Sequence, residues 1–436
     1  MSLTPLGGPL LAVGILVFGA VLVLVLVNPT SRRPSLAPLI GVPFAVGAAV
    51  VGAQAPQPLG LAVIALCGMA GIAVLLLPAL HAEVPAHVAE AAALLLLGAA
   101  GALALASATD LLQAVVGLET LALSAVILVA LGVGDRSLEA AFKYFVLGAV
   151  SLAGLLYGLG LVYLGTGSFG FPSAAEIASN PLILAGVVLV GMGFAFELAL
   201  FPFHWGALDA YTAADPSLAG FVMSASKLAA AFALGRLVQA AGVELAQPLI
   251  WIGSLTIVWG TFGALAQAAD FRRMLGYSAI THAGFIGLAL GSGPNGPQTA
   301  AFYATMYGSM AMLVFAGLAG SRGTDLRGLG RLRATGLGLG LLSLSGVPPT
   351  PGFWAKLAVL VVAWQAAGPV PTLIAVAGGV FSVLYYLRPL PDLFAALRGE
   401  RLISRAVVVP GVVVATVVVV GFGVFPGLIW TLAHPS

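Results

Sequence analysis

Charge is scarce in this sequence. Charged side chains make up only 7% of its 436 residues, whereas hydrophobic residues make up 61%. Soluble domains carry about 25% charged residues. A chain this apolar cannot keep its surface in water, which excludes a soluble enzyme, a nucleic-acid-binding protein and a disordered protein. Its apolar runs are too long for barrel strands and do not alternate, so we predict an all-α polytopic membrane protein.

Cysteine is nearly absent as well. The one cysteine, Cys67, lies inside an apolar run. A single thiol cannot form an internal disulfide, a cysteine-based zinc site or an iron–sulfur cluster. There is also no Walker A sequence, and no histidine or glutamate grouping has metal-ligand spacing. We therefore expect no catalytic residue, cofactor or metal in this chain, with any redox chemistry taking place in another chain.

A basic start is missing too, because the first charged residue, Arg32, follows the first apolar run. This favours a retained first span over a cleaved secretory signal. Proline, glycine, asparagine and charged residues then divide the chain into fourteen predicted spans. They lie near residues 5–27, 36–55, 58–80, 88–107, 109–133, 139–164, 181–206, 215–241, 246–268, 272–292, 296–320, 333–364, 368–388 and 406–430.

The arginines are distributed unevenly between the predicted loops. All but Arg236 lie in or beside odd-numbered loops. The positive-inside rule then places those loops in the cytoplasm and both termini outside. A different number of spans would scramble the pattern, so it supports fourteen. The arginines in question are Arg32, Arg33, Arg136, Arg272, Arg273, Arg322, Arg327, Arg331, Arg333, Arg388, Arg398, Arg401 and Arg405.

Ionisable residues inside apolar segments are the strongest functional signal. Each costs about 2.5–3.5 kcal/mol at mid-membrane on insertion scales, so such residues commonly mark ion or proton pathways. Salt bridging or snorkelling is the structural alternative, and it is strongest for Lys143 near a span start. Tyrosine and phenylalanine recur at helical spacing, which we interpret as packing or lipid contact. The candidate proton-transfer residues are Glu119, Lys143, Glu197, Lys227, His282 and Lys356.

Two predicted spans contain internal breaks. The seventh contains Pro202, and the twelfth contains Pro348, Pro349 and Pro351. Proline removes a backbone donor, and the freed groups are tolerated in a membrane only where protein or a watery cavity satisfies them. Paired broken helices indicate a repeated transporter unit with a mid-membrane ion path. Two ordinary proline kinks are the alternative.

Five stretches resemble the subunit N family of bacterial NADH:quinone oxidoreductase (respiratory complex I), one of its antiporter-like subunits. They occur in family order and span about residues 105–390. The stretches are GLETLALS at 117–124, KYFVLGA at 143–149, PFHW at 202–205, RMLGYSAITHAG at 273–284 and LSGVPPTPGFWAK at 344–356.

This resemblance implies about fourteen transmembrane helices with two inverted five-helix repeats, in which helices 7 and 12 are discontinuous. The implied divisions are an N-terminal three-helix segment at 1–87, a first repeat of helices 4–8 at 88–241, a second repeat of helices 9–13 at 246–390, and a C-terminal loop and helix 14 at 391–436.

The resemblance also implies residue roles. Glu119 corresponds to the fifth-helix carboxylate, Lys143 to the sixth-helix lysine and Lys227 to the eighth-helix lysine. His282 corresponds to the tenth-helix histidine and Lys356 to the twelfth-helix lysine. The similar subunit M usually has a glutamate at the last position, and subunit L continues into a long lateral helix, so the pattern favours subunit N.

Two features depart from the family. Glu197 stands where the family has a seventh-helix lysine, and the stretch at 205–211 also differs from the usual motif, so the N-side half-channel is altered. If the helices lie as in the family, Glu119 and Glu197 are close. We then expect the two carboxylates to share a proton, with Lys227 compensating the remaining charge. Alternatively, Glu197 turns to water or to Lys143 and stays ionised.

The implied function is that of a proton-translocating, non-redox membrane subunit of NADH:quinone oxidoreductase. NADH, FMN, iron–sulfur clusters and quinone are expected in partner subunits. The implied surroundings are the bacterial inner membrane, its lipid, and M-like and K/J-like neighbouring subunits, without nucleic acid. The alternatives are an antiporter-like subunit of a membrane-bound hydrogenase or Mrp-type cation/proton antiporter, and a passive membrane scaffold.

Overall fold

The structure, a computed structural model, describes residues 7–27, 36–81, 87–132, 134–321, 326–399 and 406–434. The regular structure within these ranges is helical, which confirms the all-α prediction. Five of the arginines that predicted the topology lie outside the described residues: Arg32, Arg33, Arg322, Arg401 and Arg405.

The helices follow the apolar runs of the sequence. In chain order they are α1 Gly7–Leu26, α2 Leu36–Gly52, α3 Leu59–His81, α4 Val88–Ala106, α5 Leu111–Ala130, α6 Asp135–Thr166, α7 Ala174–Ser179, α8 Pro181–Leu198, α9 Trp205–Ala213, α10 Pro216–Ala241, α11 Val243–Ala266, α12 Phe271–Gly291, α13 Gly296–Leu318, α14 Arg331–Ser345, α15 Pro351–Ala366, α16 Pro369–Leu387, α17 Leu390–Arg398, α18 Val409–Val424 and α19 Pro426–Ala433.

Twelve helical stretches in the described residues are long and apolar enough to cross a membrane. The polytopic prediction is therefore confirmed, whereas the count of fourteen is not. The second predicted span is the 17-residue helix α2, which is shorter than a full crossing. The twelfth predicted span is divided into α14 and α15, of 15 and 16 residues, neither of which spans alone.

Both predicted breaks are present, and they are built alike. The seventh predicted span, 181–206, contains α8, which ends at Ala199 with φ 61°, and reaches only the first two residues of α9, Trp205 and Gly206. The twelfth comprises α14 and α15, and α14 ends at Gly346 with φ 91°. A left-handed residue terminates a helix because it turns the chain out of the helical path. Each of these residues stands three positions before a proline of its break, Pro202 or Pro349.

Three helices occupy the centre of the bundle. Within their most apolar windows, 94% of residues are buried in α10, 94% in α12 and 100% in α13, against 22% in α6. Glycines allow neighbouring backbones to approach closely. A Cβ added at Gly101 of α4 would lie 2.6 Å from the Leu121 nitrogen of α5, and one at Gly253 of α11 would collide with the Leu288 nitrogen of α12.

Candidate functional site

Lys227 lies at the centre of α10 and is fully buried. Its Nζ donates a hydrogen bond of 2.9 Å to the Tyr211 hydroxyl, which α9 supplies from the far side of the first helix break. The same Nζ lies 6.0 Å from the centroid of the Tyr307 ring on α13. The amine is therefore held by a phenol and an aromatic face, with no carboxylate of the described residues within ion-pair distance, and it is the first buried base of the site.

His282 lies on α12 with a phenol at each ring nitrogen. Nδ1 is 2.7 Å from the Tyr303 hydroxyl, and Nε2 is 3.1 Å from the Tyr386 hydroxyl on α16. A neutral imidazole donates at one nitrogen and accepts at the other, so both hydroxyls can be satisfied in either tautomer. The His282 and Tyr307 ring centroids are 4.8 Å apart. Tyr307 thus lies between Lys227 and His282.

Lys356 lies in the first turns of α15, next to the second helix break. Its Nζ donates to the Ser345 carbonyl at 2.8 Å and to the Ser382 hydroxyl of α16 at 3.0 Å. Ser345 is the last residue of α14, so the break frees this carbonyl from the helical ladder. The lysine therefore satisfies a backbone group that the broken helix exposes, and Ser382 lies one helical turn from Tyr386.

These contacts place the three central candidates along one buried polar line, in which the step from Tyr386 to Ser382 rests on their spacing of one helical turn on α16. The line runs from Lys227 past Tyr307 to His282, and then by Tyr386 and Ser382 towards Lys356. Its phenols are among the largest fully buried side chains in the protein. His282 also lies within electrostatic range of both lysines.

Glu119 and Glu197 line one cavity of about 170 Å³ between α5, α6 and α8. Glu197 is only 2% exposed, and its Oε1 has no hydrogen-bond partner among the described residues. Glu119 is half-buried. Glu197 also lies within electrostatic range of Glu119 and Lys227. The structure thus brings together the two carboxylates that the sequence suggested to be neighbours, beside the buried line.

Lys143 lies apart from this line. Its Nζ pairs with Glu139 at 2.6 Å and with Asp209 at 3.6 Å, and its side chain is 48% exposed. Asp209 in turn pairs with Arg273 at 3.3 Å. Lys143 therefore belongs to a surface ion cluster.

The tyrosines are the part of the site that the sequence interpretation missed. They were assigned to packing or lipid contact, yet Tyr211, Tyr303 and Tyr386 are hydrogen-bonded to Lys227 or His282. A buried tyrosine usually needs a partner for its hydroxyl, whereas phenylalanine does not. Tyrosines at deep positions of the predicted spans could therefore have indicated the hydrogen-bonded phenols of the site.

The chain is similar to known proteins over most of its length. Residues 108–382 match the family model described as NADH:quinone oxidoreductase/Mrp antiporter, transmembrane. The chain is 35% identical to NADH-quinone oxidoreductase subunit N 1 of Solidesulfovibrio magneticus over 94% of both chains. All six candidate proton-transfer residues, from Glu119 to Lys356, lie within the range matched by this family model.

Two solved structures share the architecture. A chain of respiratory complex I from Thermus thermophilus with bound aureothin has a TM-score of 0.79 and 28% identity, with 96% of this chain and 98% of that chain covered. A chain of the Mrp complex from Dietzia sp. has a TM-score of 0.82 and 18% identity, with 99% and 96% covered, and this likeness concerns the fold alone. The chain belongs to the NADH-quinone oxidoreductase subunit N family, a group of antiporter-like, proton-translocating membrane subunits.

Proposed function

We propose that this chain translocates protons as a membrane subunit of a bacterial NADH:quinone oxidoreductase. Electron transfer from NADH through FMN and iron–sulfur clusters to quinone takes place in partner subunits and drives the proton movement here. The observation that supports this most strongly is the buried line from Lys227 through His282 to Lys356, which crosses the centre of an apolar bundle.

The chemistry of the line suits proton transfer. Removal from water disfavours the charged form of a buried amine, so a buried lysine gives up its proton more readily than one in solution. Phenol and serine hydroxyls donate and accept hydrogen bonds at the same oxygen, so they can pass a proton between bases without becoming charged. In this proposal Lys227 and His282 relay protons across the middle, and Lys356 gates the second half.

The acidic pair sets the charge state of the first lysine. Glu119 and Glu197 face one small cavity, and like charges out of water repel, so the pair holds one proton. The remaining negative charge compensates Lys227. A change of protonation in this pair therefore changes how firmly Lys227 holds its own proton.

Two inverted five-helix repeats, at 88–241 and 246–390, would explain why the site has two halves. Both breaks consist of a left-handed residue followed three positions later by proline. The first two helices of each proposed repeat, α4 with α5 and α11 with α12, meet at glycine backbone contacts. Within the described residues, α1 and α2 pack against α4, α3 packs against α4, α10 and α13, and α17 and α18 pack against α14 of the second proposed repeat.

The proposed setting is the bacterial inner membrane, with both termini outside and M-like and K/J-like subunits as neighbours. The 35% identity to a protein named as subunit N favours this over an Mrp-type or hydrogenase complex, because the Mrp chain shares the fold at 18% identity. The buried lysines argue against a passive scaffold. A scaffold gains nothing from the cost of an ionisable group in the membrane interior.

The function is tested by purification and reconstitution. An affinity tag on this chain is expected to recover quinone-reducing subunits, and vesicles that contain the purified complex should acidify internally when NADH and quinone are added. Vesicles with the isolated chain should show no cation/proton exchange. Exchange by the isolated chain, without recovered partners, would instead identify a stand-alone antiporter.

Topology gives a second prediction. Arg327 lies in an odd-numbered loop, where a cysteine should be labelled only from the cytoplasmic side. The substitution removes a surface ion pair with Asp392, which contributes about 0–1 kcal/mol, so folding should be preserved. Ala175→Cys, on exposed α7, is the matched control and should be labelled only from outside. The native Cys67 is buried and gives little background. Labelling of Arg327→Cys from the periplasm alone would contradict the orientation.

Glu197→Gln tests the shared proton. Glutamine resembles a protonated carboxyl, so the variant should assemble normally while the pH dependence of pumping changes, because one titrating group of the pair is lost. Infrared difference spectra of the wild-type complex should contain a protonated-carboxyl band that Glu197→Gln or Glu119→Gln removes. Glu244→Gln, at an exposed position of α11, is the control and should leave the band unchanged. The shared proton is wrong if no such band is present.

A further inference from the structure

Two cavities adjoin on the outer face of α6, α8 and α9. The first, of about 560 Å³, is lined by charged and aromatic side chains, among them Lys143, Asp209 and Arg273. The second, of about 540 Å³, is an apolar groove along α6 and α8. Leu147 and Trp205 line both, so a charged compartment continues directly into an apolar one. This order of surfaces matches a molecule with a polar head and a hydrocarbon tail.

The charged compartment suits one anionic phosphate. Lys143 Nζ and Arg273 Nη1 lie 3.6 Å and 3.3 Å from the two oxygens of Asp209, so two cations share one carboxylate. The charged residues that line this compartment thus sum to one positive charge. An ammonium has three donors and a guanidinium five, so donors remain for a further oxygen ligand. Glu139 also pairs with Lys143, at 2.6 Å; its side chain is 64% exposed and does not line the compartment.

The groove suits an acyl chain. A Cβ added at Gly154 would meet no atom within 4 Å, so the groove is open at its centre. Val150 and Met192 line it and are 68% and 42% exposed. Trp205, at the junction with the charged compartment, is 67% exposed. Tryptophan is enriched where the headgroup level of a membrane begins, which fits its place between head and tail.

We propose that these cavities form a binding site for one phospholipid with an anionic headgroup. Its phosphodiester binds Lys143 and Arg273, and one acyl chain lies in the groove beside Gly154. Basic pockets between transmembrane helices recognise anionic headgroups in this way. Ser151, Gly193 and Phe196 line both the groove and the cavity that holds Glu119 and Glu197. These three residues thus form the partition between the bound acyl chain and the acidic cavity.

Lipid binding by the delipidated full chain in detergent tests this site, with native mass spectrometry as the readout. Phosphatidylglycerol should bind one molecule per chain, more tightly than phosphatidylcholine by roughly tenfold, because only the former carries net negative charge. The double variant Lys143→Gln/Arg273→Gln should lose this preference. Equal binding of the two lipids by the wild type, or displacement of phosphatidylglycerol by millimolar inorganic phosphate, would overturn the proposal.

A matched pair of glycine variants tests the groove. The Cβ of a leucine at Gly154 would meet no atom within 4 Å, so the side chain can extend into the groove. Gly154→Leu should therefore weaken phosphatidylglycerol binding by about tenfold, since fewer methylene groups are buried. Gly160→Leu, on the same helix, also has no atom within 4 Å of the added Cβ and lies outside both cavities, so it should bind like the wild type. Indistinguishable binding by the two variants would show that the groove holds no acyl chain.

The intact complex supplies a test that does not depend on a delipidated chain in detergent. A photoreactive amino acid at Val150 should form adducts with phospholipid after illumination of membranes. A cross-link from this position to another protein subunit, without lipid adducts, would show that protein covers the groove and would overturn the proposal.

Discussion

Replacing Lys227 with alanine is expected to lower NADH-driven proton pumping on the order of 100-fold, the contribution typical of a positioned proton donor. Lys227 is fully buried and is the point at which α9, α10 and α13 bring Tyr211 and Tyr307 together. Without its amine, no base remains between the acidic cavity and His282 in this line. Pumping is measured with a pH-sensitive dye in vesicles that contain the purified complex, alongside NADH oxidation.

Lys227→Arg separates charge from proton transfer. The guanidinium keeps the positive charge but is not deprotonated in proteins, so this variant should also fail to pump. Lys227→Met, which approximates the side-chain length without an amine, checks assembly on native gels. Ser224→Ala on the same helix is the control, because its hydroxyl bonds only to the Gly220 carbonyl at 2.6 Å, and it should pump normally. Wild-type pumping by Lys227→Arg would make Lys227 an electrostatic anchor.

The helices and breaks were largely predictable because local chemistry decides them. Apolar runs bounded by proline, glycine and charged residues predicted the helices, and the prolines of the seventh and twelfth spans predicted the breaks. The exact end of α8 was not predictable, since it ends at Ala199 in a left-handed conformation that alanine rarely adopts. The count of fourteen spans is not confirmed, because α2 is short and the twelfth predicted span is divided into two short helices.

The ionisable residues of the site were predictable, but their partners were not. Charge in an apolar run is visible in the sequence, and this singled out Lys227, His282 and Lys356. Their hydrogen bonds join residues far apart in the chain, such as His282 and Tyr386, 104 positions away. Such pairs depend on which faces of α12 and α16 meet. Helical periodicity does not determine this for helices that are apolar all round.

Lys356→Ala is expected to stop pumping to a similar extent, on the order of 100-fold, because no other buried base follows His282 in the line. Lys356 also has a structural contact, because it donates to the Ser345 carbonyl at the end of α14. Leaving that carbonyl without a donor costs about 1–3 kcal/mol. Alanine thus removes both a proton carrier and a structural contact.

Lys356→Gln distinguishes the two roles. The glutamine amide can donate hydrogen bonds towards Ser345 and Ser382, but it does not take up or release a proton at physiological pH. We therefore expect Lys356→Gln to recover the thermal stability that alanine loses, measured by unfolding of the purified complex, without recovering pumping. Thr372→Val on α16 is the control, since its hydroxyl bonds to the Gly368 carbonyl at 2.8 Å, outside the line. If Lys356→Gln pumps like the wild type, the lysine serves only to satisfy the broken helix, and the second half of the proposed path must run elsewhere.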